Sequence, residues 1–161
     1  MALTLLLSGC GSSDEGKAVD GKAEGYIGDV LVTRWFDWTV NDAYLCDQYE
    51  DKEALSGYKL LAVNITVTNT TKKSIPMYDT DFRVFWTDED FAVPLTSYDD
   101  TLAYEGMLEK EYSVGINSSV TGDLLFEVPE DQVDFRIVFQ EYFENETTGD
   151  EFVIYFTPEQ K

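Results

Sequence analysis

The clearest pattern of apolar and polar positions in the chain lies between Tyr58 and Asn69, in the segment YKLLAVNITVTN. Successive side chains of a β-strand point to opposite faces, so a period of two separates a buried face from an outer one. One set of alternate positions is apolar: Leu61, Val63, Ile65 and Val67. The other set is small or polar: Ala62, Asn64, Thr66 and Thr68. The segment therefore predicts a central strand whose apolar face packs into a core and whose other face tolerates water.

The same alternation recurs in shorter stretches along the chain. It predicts strands over residues 28–40, 81–86, 91–95, 119–128, 133–139 and 152–156. Both faces of residues 28–40 are partly apolar, which indicates a bulge or a crossing between two sheets. Residues 49–57 hold the only helix-forming stretch, long enough for one turn or a loop. Residues 97–112 show no clear period and are predicted to form an irregular connection.

About seven to nine short strands joined by turns, with almost no helix, predict an all-β fold, an antiparallel β-sandwich. In such a sandwich the apolar face of the Tyr58–Asn69 strand is expected to meet an opposing sheet that carries Leu124, Phe135 and Ile137. No internal repeat of solenoid or propeller period is visible in the sequence.

Composition and charge narrow the function classes. The 161 residues are 43% hydrophobic and 14% aromatic, enough for one domain with a sizeable core. There are 32 acidic and 11 basic residues, giving a formal net charge of -21, and there is no histidine. Such a polyanion repels phosphate backbones, so nucleic acid is excluded as a partner. Catalysis that uses a histidine base, and metal sites built on imidazole, are excluded as well.

The N-terminal residues resemble a targeting signal. Cys10 closes the sequence Leu-Ser-Gly-Cys after an apolar run, MALTLLL, and a Gly/Ser run follows it. This resembles the lipobox of bacterial lipoproteins, in which the cysteine thiol becomes lipidated and the preceding peptide is removed. No lysine or arginine precedes the apolar run, which indicates a truncated or wrongly assigned start. The alternative is an N-terminal strand with a buried free cysteine. Cys46, between apolar neighbours, is interpreted as a small buried hydrophobe.

These features divide the chain into three parts. Residues 1–10 are the signal remnant with the lipobox. Residues 11–25 contain four glycines and no aromatic residue, and are predicted to be a flexible tether. The sandwich domain is predicted to span residues 26–158. A lipidated Cys10 would place the protein outside the cytoplasm, anchored to the cell membrane.

Three segments carry a resemblance to a known family: YKLLAVNITVTN at 58–69, Asp-Phe at 81–82 and GDLLFEVPE at 122–130. Together they resemble the telokin-like, immunoglobulin-like domain of unknown function found in secreted lipoproteins of Gram-positive bacteria. The similarity spans about residues 26–158. It implies an immunoglobulin-like sandwich on a cell surface, and it carries over no catalytic residue because the family has no agreed activity.

Two groups of residues are candidates for a site. Carboxylates gather at strand ends and turns, and hard cations such as calcium take these oxygens; the candidates are Asp79, Asp81, Asp88 and Asp90. No Asp-x-Asp-x-Asp-Gly loop is present, and a solvated acidic rim is the favoured interpretation. Aromatic rings in predicted loops are candidates for ligand contact: Tyr98, Tyr104 and Tyr142.

The predicted function is a non-enzymatic, lipid-anchored extracytoplasmic binding or interaction domain that needs no cofactor. Its partner would be the membrane through the anchor, together with a surface protein or a glycan. The alternative is a carbohydrate-active enzyme, or a calcium-assisted glycan-binding module, that uses surface carboxylates.

Overall fold

The computed structural model describes residues 15–161. The signal remnant, Cys10 and the first part of the predicted tether lie outside these residues. Fourteen strands are present in the described chain: β1 (Lys22–Tyr26), β2 (Leu31–Val32), β3 (Phe36–Cys46), β4 (Gln48–Tyr49), β5 (Lys52–Glu53), β6 (Tyr58–Asn69), β7 (Ile75–Tyr78), β8 (Phe82–Phe85), β9 (Phe91–Ala92), β10 (Glu111–Val114), β11 (Ser119–Pro129), β12 (Phe135–Tyr142), β13 (Thr148–Phe156) and β14 (Glu159–Gln160). Two short 3₁₀ turns span Asp79–Asp81 and Leu95–Ser97. Residues 15–161 contain no helix long and apolar enough to cross a bilayer.

The strands form two main sheets. One sheet has the order β1-β13-β12-β8-β9, and the other has the order β11-β6-β3-β14, with β2 also paired to β3. Two small ribbons, β7 with β10 and β4 with β5, complete the structure of the described residues. Pairing is antiparallel except at two edges, where β1 runs parallel to β13 and β14 runs parallel to β3. The predicted all-β sandwich is confirmed, and nine of these strands have four or more residues.

The predicted central strand is β6, which lies between β11 and β3. All four residues of its apolar face are fully buried: Leu61, Val63, Ile65 and Val67. One detail of the predicted core is wrong. Leu124 lies beside Val63 on the neighbouring strand β11 of the same sheet, because β11 pairs antiparallel with β6. The opposing sheet contributes Phe135 and Ile137 to the core, as expected.

The outer face of β6 is divided. Asn64, Thr66 and Thr68 are half-buried and form a polar face, as predicted. Leu60 and Ala62 are instead covered by a second apolar cluster that includes Cys46 and Tyr49. Cys46 is a buried free thiol. Residues 48–53, within and just before the stretch with helix-forming composition, form the β4–β5 hairpin over this cluster.

Residues 28–40 form a hairpin and not one strand. The Thr33 side chain accepts hydrogen bonds from the backbone N–H groups of Trp35 and Phe36, both at 3.1 Å, and so stabilises a tight turn between β2 and β3. The apolar residues on both faces of this segment are explained by that turn, and the register with β6 shifts only after it, at a bulge between Val40 and Asp42. The strand then continues to Cys46.

The predicted tether is wrong for its second half. Residues Lys22–Tyr26 pair along their length with β13. The residues of β1 that face the protein interior are small, which lets the strand lie close to the sheet: Ala23 and Gly25 are buried while their neighbours are exposed. The backbone N–H of Val32 also binds the carbonyl of Gly16 at 2.8 Å. A strand with little apolar surface is stabilised here by its ladder of backbone hydrogen bonds.

Two other boundaries differ from the sequence prediction. β12 begins at Phe135, and Val133 is exposed ahead of it. The fold continues past Pro158, because Glu159 and Gln160 pair with Tyr44 and Leu45 of β3. The domain therefore extends beyond residues 26–158 at both ends.

Candidate binding groove

A groove of about 800 Å³ opens between the two sheets, at the end where β3 begins and β12 ends. Its volume falls within the range of small-molecule sites, roughly 300–1,000 Å³. Buried apolar side chains form its base: Phe36, Met77 and Phe139. Aromatic and charged side chains line its walls and mouth: Trp35, Lys72, Lys73, Asp81, Tyr142 and Glu144. We refer to this feature as the groove.

One wall is the β2–β3 turn packed against the segment after β12. The ring of Trp35 meets the ring of Phe143 edge-on at 5.9 Å between centroids. The Arg34 guanidinium lies over the same Phe143 ring at 4.9 Å, a cation–π geometry. The backbone N–H of Arg34 donates to the buried carboxylate of Glu141 at 2.9 Å. These contacts fix Trp35 at the edge of the groove.

Gly149 supports this wall from behind. A Cβ atom at Gly149 would lie 2.6 Å from Glu141 Oε2 and 2.7 Å from the Phe143 ring. Real Cβ atoms do not approach so closely, so any larger residue would displace the Glu141 carboxylate or the ring. The absence of a side chain at this position therefore keeps the wall in place.

The opposite wall is the loop at residues 70–74, which Asn69 holds. The Asn69 side chain is 2% exposed. Its amide nitrogen donates to the carbonyls of Lys73 and Val114 at 2.7 and 2.9 Å, and its oxygen accepts from the Thr71 backbone N–H at 2.8 Å and the Thr71 hydroxyl at 2.9 Å. Both amide hydrogens and both lone pairs of the Asn69 side chain are therefore used in hydrogen bonds that shape the loop. It positions Lys72 and Lys73 at the mouth of the groove.

The electrostatics of the groove differ from those of the rest of the surface. Within residues 15–161, neither Lys72 nor Lys73 forms an ion pair, although the chain carries 32 acidic residues. Asp81 lies at the other side, where it accepts a hydrogen bond from the backbone N–H of Tyr78 at 2.8 Å. Burial, and secondarily the neighbouring charge of Asp79, raises the pKa of Asp81. Protonation of Asp81 would thus make the groove more positive.

The calcium candidates do not come together. The Asp79 carboxylate is buried and accepts hydrogen bonds from the hydroxyls of Thr96 and Ser97, so it joins the two 3₁₀ turns. Asp88 and Asp90 are in the β8–β9 hairpin turn, where Asp88 pairs with Arg136 and Asp90 accepts from Thr87. No group of three or more acidic, cysteine or histidine side chains in residues 15–161 is placed to hold a metal ion. These carboxylates have local structural partners.

The three candidate tyrosines are in different surroundings. Tyr142 is 59% exposed at the groove. Tyr98 is 79% exposed beyond the second 3₁₀ turn and is not part of the groove lining. Tyr104 packs against the Tyr49 ring at 5.9 Å and donates to the Asp51 carboxylate, and this hydrogen bond is the main cause that raises the pKa of Tyr104 to about 12. Only Tyr142 of the three therefore belongs to the groove.

Sequence reasoning did not single out Lys72, Lys73, Asn69 or Gly149 as site residues. The sequence does contain a signal for the lysines and for Asn69. Adjacent lysines are conspicuous in a chain with only 11 basic residues, and a strand that ends in Thr-Asn precedes them. Gly149 gave no local signal, because its role depends on a side chain eight residues away across a β-bulge.

Comparison with protein families shows that the family described as "Domain of unknown function (DUF4352)" matches residues 26–149. The matched range includes the groove residues and omits most of β13. Comparison with curated protein sequences gives no match.

Several solved structures are similar in fold. A candidate lipoprotein of Bacillus subtilis, ycdA, is 16% identical with a TM-score of 0.61 over 80% of this chain, and the chain spans only 38% of that protein. The yjhA protein of Bacillus subtilis is 14% identical with a TM-score of 0.53, covering 81% of this chain and 97% of that one. A conserved hypothetical protein of Bacillus anthracis is 14% identical with a TM-score of 0.51, covering 78% and 94%. At such identities the likeness concerns the fold alone.

Proposed function

We propose, from the premise that the chain belongs to the DUF4352 family of domains of unknown function, that it is a lipid-anchored extracytoplasmic binding domain without catalytic activity. The proposed binding site is the groove, and the proposed ligand combines an apolar or aromatic body with an anionic group. The observation that carries the proposal is the pair of lysines, free of ion pairs within residues 15–161, at the mouth of an apolar groove in a chain of net charge -21.

The proposed anchor rests on the sequence Leu-Ser-Gly-Cys at residues 7–10. It is supported by the fold likeness to a candidate lipoprotein of Bacillus subtilis. Both observations favour a secreted lipoprotein of a Gram-positive bacterium. Two acyl chains on Cys10 would hold such a protein stably in a membrane, where a single chain gives only marginal binding.

The proposed ligand class follows from complementarity. Phe36, Met77 and Phe139 offer a dry apolar base, and Trp35 and Tyr142 offer ring faces and edges at the sides. An anionic group beside Lys72 and Lys73 would gain two charge-assisted hydrogen bonds without breaking an existing ion pair. The net negative charge of the whole protein opposes the approach of anions, so specificity has to come from this local pair.

A carbohydrate-active enzyme is the second candidate, favoured by the presence of Asp81 and Glu144 in the same groove as Trp35 and Tyr142. A raised pKa of Asp81 suits a general acid. The binding role is preferred because Asp81 already accepts a hydrogen bond within its own turn and Glu144 is exposed to solvent. Hydrolysis of chromogenic glycosides that is lost in Asp81→Asn would favour the enzyme.

The groove is tested with the fluorescent probe 8-anilinonaphthalene-1-sulfonate, which joins aromatic rings to one anionic group. We expect saturable binding at one site per chain, and a loss of at least tenfold in affinity in the double variant Lys72→Glu/Lys73→Glu, because two favourable charge contacts become repulsive. Fluorescence titration measures both. The uncharged analogue N-phenyl-1-naphthylamine is expected to bind both proteins with similar affinity.

The matched control is Lys52→Glu/Lys110→Glu, which makes the same change in net charge. Lys52 is on β5, and Lys110 forms an exposed ion pair with Asp100, so neither belongs to the groove. Equal probe affinity in the two double variants would show that net charge alone governs binding, and would contradict the proposed site.

The anchor is tested with Cys10→Ala in a bacterial host that processes lipoproteins. We expect the native protein in the membrane fraction and the variant in the medium, because the thioether to the lipid cannot form. Immunoblots of the two fractions measure the distribution. Cys46→Ala is the control, since Cys46 is buried in the domain and should not affect anchoring. A Cys10→Ala protein that stays with the membrane would contradict the anchor.

A further inference from the structure

We propose that the turn between β1 and β2 rests against the lipid bilayer, with Tyr26, Ile27 and Val30 in the membrane interface. This inference rests on the proposed lipid anchor at Cys10. We refer to residues 26–30 as the β1–β2 turn. It is a surface for lipid, distinct from the groove.

The β1–β2 turn exposes three large apolar or aromatic side chains in five residues. Tyr26 is 68% exposed, Ile27 is 40% exposed and Val30 is 49% exposed. Single exposed apolar residues are common on protein surfaces, whereas several together mark a contact surface. The turn is also well held. The Gly28 N–H donates to the Val40 carbonyl at 2.9 Å, and the Tyr26 N–H donates to the Asp29 carboxylate at 2.8 Å.

The described chain enters the domain beside this turn. Glu15 and Gly16 line one shallow cavity together with residues 28–32. The Gly16 carbonyl accepts the backbone N–H of Val32 at 2.8 Å, which ties the entering chain to β2. A Cβ atom at Gly16 would lie 2.0 Å from the carbonyl oxygen of Val30, so the two segments are in close contact. The point of attachment to any anchor is therefore at the β1–β2 turn.

The length of chain between the anchor and this point is short. Residues 11–15 are the five residues between Cys10 and Gly16. Fully extended, the six steps from Cys10 to Gly16 reach at most about 20 Å. A folded domain of this size has a radius of gyration of about 15 Å, so its width of at least about 30 Å is greater than that reach. The entry side is consequently held at the membrane surface, and the opposite side cannot reach it.

The side chains of the turn suit the interface. Tyrosine is enriched at the level of lipid headgroups, where its ring meets acyl chains and its hydroxyl meets water. The Tyr26 ring also contacts the Tyr155 ring at 6.3 Å, which extends the aromatic surface. Glu24 and Asp29 are nearby, so anionic lipids do not supply the attraction. Apolar and aromatic contact supplies it, and the anchor keeps the local concentration of lipid high.

This orientation leaves the groove accessible. Tyr26 is in register with Tyr155, and Tyr155 with Arg136 near the start of β12. The groove is reached at Tyr142, six residues farther along β12, or about 20 Å at the rise of a strand. The site for a ligand and the surface for lipid are therefore at opposite ends of one sheet.

The test uses the full, lipidated chain reconstituted in phosphatidylcholine vesicles that contain a lipid with a nitroxide on its headgroup. Ile27→Cys is labelled with an environment-sensitive maleimide fluorophore, and Ile116→Cys is the matched control. Ile116 is 52% exposed and lies between β10 and β11. Cys10 is blocked by its thioether, and burial both shields the Cys46 thiol and raises its pKa, so the introduced thiol is labelled selectively.

We expect quenching by the nitroxide lipid to be several-fold stronger for the label at 27 than for the label at 116, with blue-shifted emission at 27. Equal quenching in protein that is anchored would overturn the inference and leave the anchor intact. Protein that fails to co-float with the vesicles would overturn the anchor and the inference together. A blue shift at 27 that appears in Cys10→Ala protein without vesicles, and grows with protein concentration, would assign the turn to contact between two copies and overturn lipid contact.

Discussion

Replacing Val63 by aspartate is expected to unfold the domain. Val63 is fully buried at the centre of β6, with Ala43 and Leu124 beside it on the two flanking strands. The variant loses about 1.5–3 kcal/mol of apolar burial and gains an unpaired buried carboxylate, which costs several kcal/mol more. Domains of this kind are stable by only about 5–15 kcal/mol. Far-ultraviolet circular dichroism and thermal melting at neutral pH measure the outcome.

The matched control for this prediction is Thr66→Asp on the same strand. Thr66 is half-buried on the outer face, where its hydroxyl contacts Thr121 and Asn41. A carboxylate there keeps access to water, so we expect a folded protein with a modestly lower melting temperature. A Val63→Asp protein with the native spectrum and melting curve would mean that the register of β6 is wrong.

Replacing Asn69 by alanine is expected to destabilise the domain and to weaken probe binding in the groove. The truncation removes the 2.9 Å donor from the buried carbonyl of Val114, which keeps only the longer contact from the Ser74 hydroxyl at 3.3 Å, and this costs roughly 1–3 kcal/mol. It also frees the 70–74 loop that positions Lys72 and Lys73. Urea denaturation gives the free energy of unfolding, and titration with 8-anilinonaphthalene-1-sulfonate at low temperature gives binding to the folded fraction.

Two variants separate the role of Asn69 from a general effect on the sheet. Thr68→Ala removes one exposed hydroxyl contact with Ser119, and we expect it to change stability by less than about 1 kcal/mol with normal probe binding. Asn69→Asp keeps the acceptor for Thr71 and loses the amide donor, so it should be as harmful as Asn69→Ala. If Asn69→Ala, Asn69→Asp and Thr68→Ala all bind the probe with the affinity of the native protein, Asn69 does not shape the groove.

The long strands could be predicted because their information is local. In β6 and β11 the alternation of apolar and polar residues follows largely from burial of one face, and that face is visible in the sequence. The bulge after Val40 lies just beyond residues 28–40, for which a bulge or a crossing between sheets is predicted. The hairpin at β8 and β9 follows from the acidic turn that joins them.

The edge strands and the groove could not be predicted because they depend on contacts between residues that are far apart in the sequence. β1 and β14 have little apolar surface, and each exists only because a distant strand offers it a backbone edge. The groove joins Trp35, Lys73 and Phe139, which are far apart in sequence and meet only when both sheets are in place. The candidate calcium carboxylates have separate partners, because Asp79 accepts from the second 3₁₀ turn and Asp90 accepts from Thr87.

The parallel edge formed by β1 has a consequence for how such a chain completes its folding as it is synthesised. For a chain delivered N-terminus first, Lys22–Tyr26 emerges among the earliest described residues, while its partner Glu151–Tyr155 emerges among the last. Loop closure over that separation is slow compared with local pairing. The first strand therefore stays unpaired until nearly the whole domain has been synthesised. A chain cut short before β13 lacks the strand with which β1 pairs.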